Sequence, residues 1–307
     1  MVYKFNMDTL KYKITKRILP LITLGVLSVE SDKAMAQTQD AVNQVINQSP
    51  SDVSAYNNRG YYYFELGEYQ RAIEDFNRAI EMDPNMSYPL IMRGLSYQRL
   101  GEHQRAIEDF NRAIEMDPNN SELFSDRGNS YYDLENYQRA IEDYDRAIEM
   151  DPSDVSAYYN RGLSYQNLGE YQRAIEDYDR AIELNPSDAF AYNNRGNSYY
   201  NLENYQRAIE DYDRAIELDP NNPGLYNNRG LSYQDLGEYK RAIEDYDRAI
   251  ELDPNNPELY NNRGTCYYDL GSWVTALQDY DRAIEINPNY FPAKNNRRDL
   301  VDTHLTL

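Results

Sequence analysis

Apolar residues recur along this chain with helical spacing, and the same spacing is written many times over. Between Ala189 and Leu202 a step of about 100° per residue gathers Tyr192, Gly196, Tyr199 and Leu202 on one side of a helix. Between Tyr205 and Leu218 the same step gathers Tyr205, Ala208, Ile209, Tyr212, Ala215 and Ile216. Each stretch predicts one amphipathic helix. Glu203-Asn204, or Gly169-Glu170 one unit earlier, supplies the turn between them, and Pro220 with Asn221 and Asn222 stops the second helix. Pro223 and Pro257 stand where a first helical turn tolerates proline, with Asn222 and Asn256 as the expected N-caps.

The pair of helices is one unit of a repeat. Prolines fall at Pro50, Pro84, Pro118, Pro152, Pro186, Pro220, Pro254 and Pro288, always 34 residues apart. Seven units follow: 53–86, 87–120, 121–154, 155–188, 189–222, 223–256 and 257–290. Within the fifth, Tyr192, Arg195-Gly196, Tyr199, Ala208, Tyr212 and Pro220 resemble the tetratricopeptide repeat at its own spacing. The resemblance implies an all-α fold, a right-handed superhelical solenoid of antiparallel helix pairs. Arg195 departs from the family, which has an aliphatic residue before the glycine.

Glycine recurs at 60, 94, 128, 162, 196, 230 and 264 on the packed side, where a small residue lets two helix backbones approach. The next slot holds Arg298, in a final helix expected from about Phe291 to His304 with no partner helix after it. Residues 291–307, carrying Lys294, Arg297 and Arg298, are expected to form a C-terminal cap. Arg195 falls near the packed side and needs a carboxylate. Asp211, with counterparts at Asp75, Asp109, Asp143, Asp177, Asp245 and Asp279, is a candidate in the same unit, and a partner in the adjacent unit is equally open.

Charge and composition narrow the function. The net charge is −21, and the first 36 residues hold six basic against three acidic groups, which leaves −24 on the remainder. So acidic a chain repels phosphate backbones, and no nucleic-acid partner is expected. Lys4, Lys11, Lys13, Lys16 and Arg17 precede an apolar run from Ile18 to Val29 and the small-x-small triplet Ala34-Met35-Ala36. Residues 1–36 thus read as a secretory signal, with a mature chain starting at Gln37 and exported to a periplasmic, lumenal or extracellular compartment. An uncleaved N-terminal membrane anchor is the alternative; no later segment is apolar enough to span a membrane. Residues 37–52 read as a degenerate N-terminal helix or cap. Cys266 is single, so neither an intrachain disulfide nor a cysteine metal cluster can form, and no cofactor is expected.

The candidate site is the inner surface that stacked first helices create. Asn193, Asn194, Asn197, Tyr200 and Asn201 fall on the arc opposite the packed side, and Asn227, Asn228, Asn261 and Asn262 take equivalent places. Asn58, Asn160, Asn194, Asn228 and Asn262 form a row that resembles the asparagine ladder in the tetratricopeptide superhelix of O-linked N-acetylglucosamine transferases; Met92 and Asp126 interrupt it. Carboxamides offer a donor and an acceptor to the backbone of an extended peptide. The third and fifth units share NSYY…LENYQ while the second, fourth and sixth share LSYQ…LGE, so Tyr132, Tyr200 and Tyr268 alternate with Gln98, Gln166 and Gln234. Those tyrosines are expected to take apolar side chains of a peptide, or sugar rings. The acidic groups follow the repeat without converging, and neither His103 nor His304 has a catalytic partner in sequence. A non-enzymatic scaffold that binds a protein segment is the expected function, with a glycan-binding module as the alternative.

Overall fold

The computed structural model describes residues 50–305, and the expected signal over 1–36 and most of the N-terminal cap over 37–52 lie outside them. Fifteen α-helices make up the described residues, with no strand among them. First helices of 13 residues alternate with second helices of 14: α1 (Val53–Glu65) with α2 (Tyr69–Met82), α3 (Ser87–Arg99) with α4 (His103–Met116), and α5 (Ser121–Asp133) with α6 (Tyr137–Met150). The series continues through α7 (Val155–Asn167), α8 (Tyr171–Leu184), α9 (Ala189–Asn201), α10 (Tyr205–Leu218), α11 (Pro223–Asp235), α12 (Tyr239–Leu252), α13 (Pro257–Asp269) and α14 (Trp273–Ile286). The last helix is α15 (Phe291–Leu300), followed by a π-helical turn, Val301–Leu305. Two compact units divide this chain, one ending at Ser164 and one beginning at Tyr165.

Local chemistry sets the helix ends. Side chains of Asp52, Asn120, Asp188, Asn222 and Asn256 accept backbone N–H groups at the start of first helices, and Pro223 and Pro257 fill the opening turn behind their caps. Between the helices of a pair the chain must pass through the left-handed region. Gly67, Gly101, Gly169, Gly237 and Gly271 do so at φ of 73–76°, whereas Glu135 and Glu203 do so at 59° without that freedom.

The repeated glycine has a different neighbour from the one expected. A Cβ on Gly196 would lie 2.8 Å from Cε1 of Tyr212, and the same clash recurs for Gly60 with Phe76, Gly94 with Phe110 and Gly230 with Tyr246. Each glycine therefore makes room for an aromatic ring of the second helix, not for its backbone. Those rings are fully buried, flanked by Ala208 and Ala215 and their counterparts, and the core is this column of rings and alanines. At the C-terminal end Leu300 packs on Ala276 and Tyr280, while Arg298, in the glycine slot, is exposed. His304, featureless in sequence, stacks on Trp273 at 4.2 Å and reaches Tyr268 Oη at 3.2 Å.

Candidate interaction surface

The arginine before the glycine is a three-helix clamp. Arg195 donates from Nε and Nη2 to both oxygens of Asp211 at 2.9 and 2.5 Å, and from Nη1 to Asp179 in the preceding unit at 2.5 Å. Partners inside the unit and next door are thus both used. Arg229 repeats the arrangement on Asp245 and Asp213, and Arg263 on Asp279 and Asp247. Burial opposes the charge on Arg195, but the hydrogen bonds to Asp211 and Asp179 outweigh it and raise its pKa. A planar fork matches a carboxylate on one edge and reaches a second acceptor on the other, which a lysine cannot do. The sequence carried the signal for this clamp: one arginine with an acidic or amide residue 16 positions away on either side.

Beside the clamp, first helices of successive units are joined by carboxamides. Asn228 Nδ2 donates to Asn193 Oδ1 at 3.0 Å and to Asn197 Oδ1 at 3.3 Å. Asn262 donates to Asn227 at 3.2 Å, and Asn296 of α15 donates to Asn261 at 3.0 Å. In the first compact unit Asn160 donates to Asn129 at 3.0 Å. These bonds correct the expectation that the whole row faces open solvent. Asn160 and Asn261 are buried, and Asn193, Asn194, Asn197, Asn227, Asn228 and Asn262 are half-buried; of the expected asparagines only Asn58 and Asn201 are exposed. Helix periodicity places a side chain on an arc, but the neighbouring unit decides whether that arc is covered.

Asn197 also serves its own unit. The buried hydroxyl of Tyr212 donates to Asn197 Oδ1 at 2.8 Å, as Tyr144 does to Asn129. In the alternate units that asparagine is leucine, and the hydroxyls of Tyr178 and Tyr246 donate instead to Gln166 at 2.9 Å and Gln234 at 3.0 Å. The 68-residue alternation therefore contains two solutions to one problem, the buried tyrosine hydroxyl, which must be paired. Where Asn197 does this work, the glutamine slot is released to hold Tyr200.

Tyr132 and Tyr200 pack edge-on against Tyr137 and Tyr205, each at 5.4 Å, and Tyr200 Oη donates to Asp235 at 2.5 Å. Tyr268 is half-buried beneath His304. Exposed polar residues near the ends of first helices include Asn58, Arg99 and Asp133 in the first compact unit, and Asn201, Asp235 and Asp269 in the second. Cys266 is buried in the slot that holds serine in its neighbours; burial pushes its thiol up to about 12. Among the described residues no three His, Cys, Asp or Glu side chains are placed to hold a metal ion, and no helix is long and apolar enough to cross a membrane.

Paired helices of fixed length, an inward glycine facing a ring and a closing proline define a helical-repeat protein whose units stack on one another. Models of the tetratricopeptide repeat match residues 53–86, 91–155, 125–189, 159–223, 211–244, 233–271 and 257–290. The chain belongs to the tetratricopeptide repeat family. Members are in general non-catalytic scaffolds for protein–protein interaction. Among solved structures, a repeat protein from Cytophaga hutchinsonii superposes with a TM-score of 0.65 at 21% identity, covering 78% of this chain and 98% of its own. YrrB, described as a TPR protein with an unusual peptide-binding site, gives 0.55 at 25% identity over 62% of this chain and 99% of its own. A probable assembly chaperone of rpl4 from Emericella nidulans is 31% identical over 74 residues, 24% of this chain; the chain spans 19% of that relative's length.

Proposed function

We propose that this protein is a non-enzymatic scaffold that holds an extended segment of a partner protein along its first-helix face, acting as an exported assembly factor or adaptor. The observation that carries the reading is the division of labour between faces. On the first-helix face, ladder carboxamides that already bind their neighbours stand beside accessible asparagines, carboxylates and tyrosine edges, a surface of backbone-matching groups on a rigid support. The peptide-binding site named for YrrB and the assembly role named for the Emericella protein support the same reading. Export rests on the basic and apolar pattern of residues 1–36.

A photoreactive residue placed at Asn58, Asn201 or Asp235, on the first-helix face, should capture a partner in native extract. The same residue at Glu176, Glu210 or Glu244, exposed on second helices, should not. Capture from both faces alike removes the proposal, and enrichment of cell-wall glycan in place of protein replaces it with the sugar-binding alternative. Mass analysis of the purified native chain tests export separately: a chain starting at Gln37 is expected, and an intact Met1 refutes cleavage.

A further inference from the structure

The last helix is half of an eighth unit. α15 packs on α14 and α13 as the earlier first helices pack on their predecessors. It makes both joints of a first helix, Asn296 donating to Asn261 at 3.0 Å and Arg297 donating to Asp281. A π-helical turn follows it, and among the described residues no second helix stands against it.

Arg297 registers what is missing. Arg195, Arg229 and Arg263 spend Nε and Nη2 on the aspartate of their own second helix and Nη1 on the preceding unit, and their side chains are 20% exposed. Arg297 has no aspartate of its own unit. It turns Nε to Asp281, its Nη1 and Nη2 meet no acceptor among the described residues, and its side chain is 43% exposed. A guanidinium held by one edge presents the other as a fixed two-pronged donor for a carboxylate.

Its neighbours state what else the absent helix must carry. Arg298 stands in the slot of Gly230 and Gly264, where a Cβ alone would come within 2.9 and 2.8 Å of the rings of Tyr246 and Tyr280. No aromatic ring fits over an arginine there. Lys294 stands in the slot of Tyr226 and Tyr260, which lie under Arg248 and Arg282 of the second helices at 6.0 and 5.9 Å. An arginine above Lys294 would be repelled and a carboxylate attracted. Lys294 and Arg298 are both exposed. α15 thus keeps the arginine that grips a second helix and refuses the second helices of this chain, all of which carry the ring and the arginine.

We infer that a helix of a partner protein completes the eighth unit. It lays an aspartate on Nη1 and Nη2 of Arg297, a small residue over Arg298 directly after it, and an acidic residue beside Lys294 three positions after the aspartate. The site uses the side of α15 that receives second helices, not the first-helix face, and stands whether or not a segment binds there.

The test titrates the full chain calorimetrically with acetylated, amidated peptides of residues 239–252. The parent peptide has the sequence unchanged; the matched peptide carries Tyr246→Ala and Arg248→Glu and keeps Asp245 for Arg297. The matched peptide should bind about tenfold more tightly than the parent. Long-range repulsion from a chain of net charge −21 acts against the more acidic peptide, so this order marks a local fit. Adding Asp245→Asn to the matched peptide, or Arg297→Lys to the protein, should weaken binding about fivefold or more, since either removes the fork. In a protein carrying Lys294→Tyr and Arg298→Gly the preference should reverse, because the ordinary slot is restored. No saturable binding of the matched peptide, or the same preference in both proteins, overturns the assignment. Should the double variant loosen α15, Asp245→Asn and Arg297→Lys decide alone, and indifference to both overturns it.

Discussion

The two compact units use the same repeat but complete its joints differently. In the second, every arginine clamp among Arg195, Arg229 and Arg263 holds two aspartates, and the asparagine pairs run unbroken from Asn193–Asn228 to Asn261–Asn296. In the first, Arg93 and Arg127 pair with one aspartate each and with a neutral amide, Asn77 and Asn111, at 2.6 Å. Met92 fills the donor slot opposite Asn57, and Asp126 fills the next. Asn57 consequently keeps a buried oxygen with no partner and only a long contact to Met86 sulfur at 3.9 Å. Packing has not suffered for it: Met92 belongs to an apolar cluster with Tyr63, Phe64, Ala72 and Phe76. The first unit has exchanged polar joints for apolar ones, and an identical fold accepts either because both fill the space between successive first helices.

That contrast can be broken most severely at the clamps. Asp109→Ala leaves the half-buried guanidinium of Arg93 with no carboxylate, at an expected cost of about 3 kcal/mol. Asp245→Ala leaves Arg229 on Asp213 and should cost roughly half as much. Since repeat arrays can unfold piecemeal, amide hydrogen exchange in α4 and α12 is the measurement to compare. Equal losses would mean that the second aspartate contributes nothing.

Next in size is a pH effect confined to the first unit. The Asp126 carboxyl, pushed up to about 8 by burial, binds its proton more tightly when folded than the ordinary carboxyl at about 4 does when unfolded. That stabilisation is complete below about pH 4 and is lost as the pH rises through about 8. Exchange protection in α5 should fall across this window in the wild type and stay flatter in Asp126→Asn.

A third pair of changes should differ in sign. Asn193→Val leaves Asn228 Nδ2 with only its longer bond to Asn197 and is expected to destabilise by about 1 kcal/mol, whereas Asn57→Val removes an orphan and should be neutral or stabilising by up to about 1 kcal/mol. Urea midpoints for the two variants check this, and two losses of equal size would show that Asn57 is satisfied in solution. The smallest effect belongs to the turns, where Glu203→Gly relieves the left-handed residue and should gain about 0.5–1 kcal/mol. Gly237→Ala, at φ 75°, should lose a similar amount.

Much of this was legible in the chain. The 34-residue proline period, the 3.6-residue apolar stripe and the turn residues fixed pairs of helices and their lengths, because each is a local property repeated seven times. The clamp was half legible: Arg195 demanded a carboxylate and Asp211 was at hand, but that Asp179 joins it depends on where the preceding unit lies. The carboxamide row is hidden from the sequence for the same reason. Helical spacing puts Asn160, Asn193 and Asn228 on the arc opposite the packed side, and only the stacked neighbour turns that arc into a joint.

The sequence alone determined the class of fold, the unit and the side of each helix that packs, since backbone hydrogen bonding and apolar burial act within and between segments that the repeat keeps at fixed spacing. The tertiary structure decided which polar groups spend their hydrogen bonds on the next unit and which keep them for a partner. A side chain's type fixes how many bonds it can make. Only its surroundings fix with whom, as the satisfied oxygen of Asn193 and the orphaned one of Asn160 demonstrate.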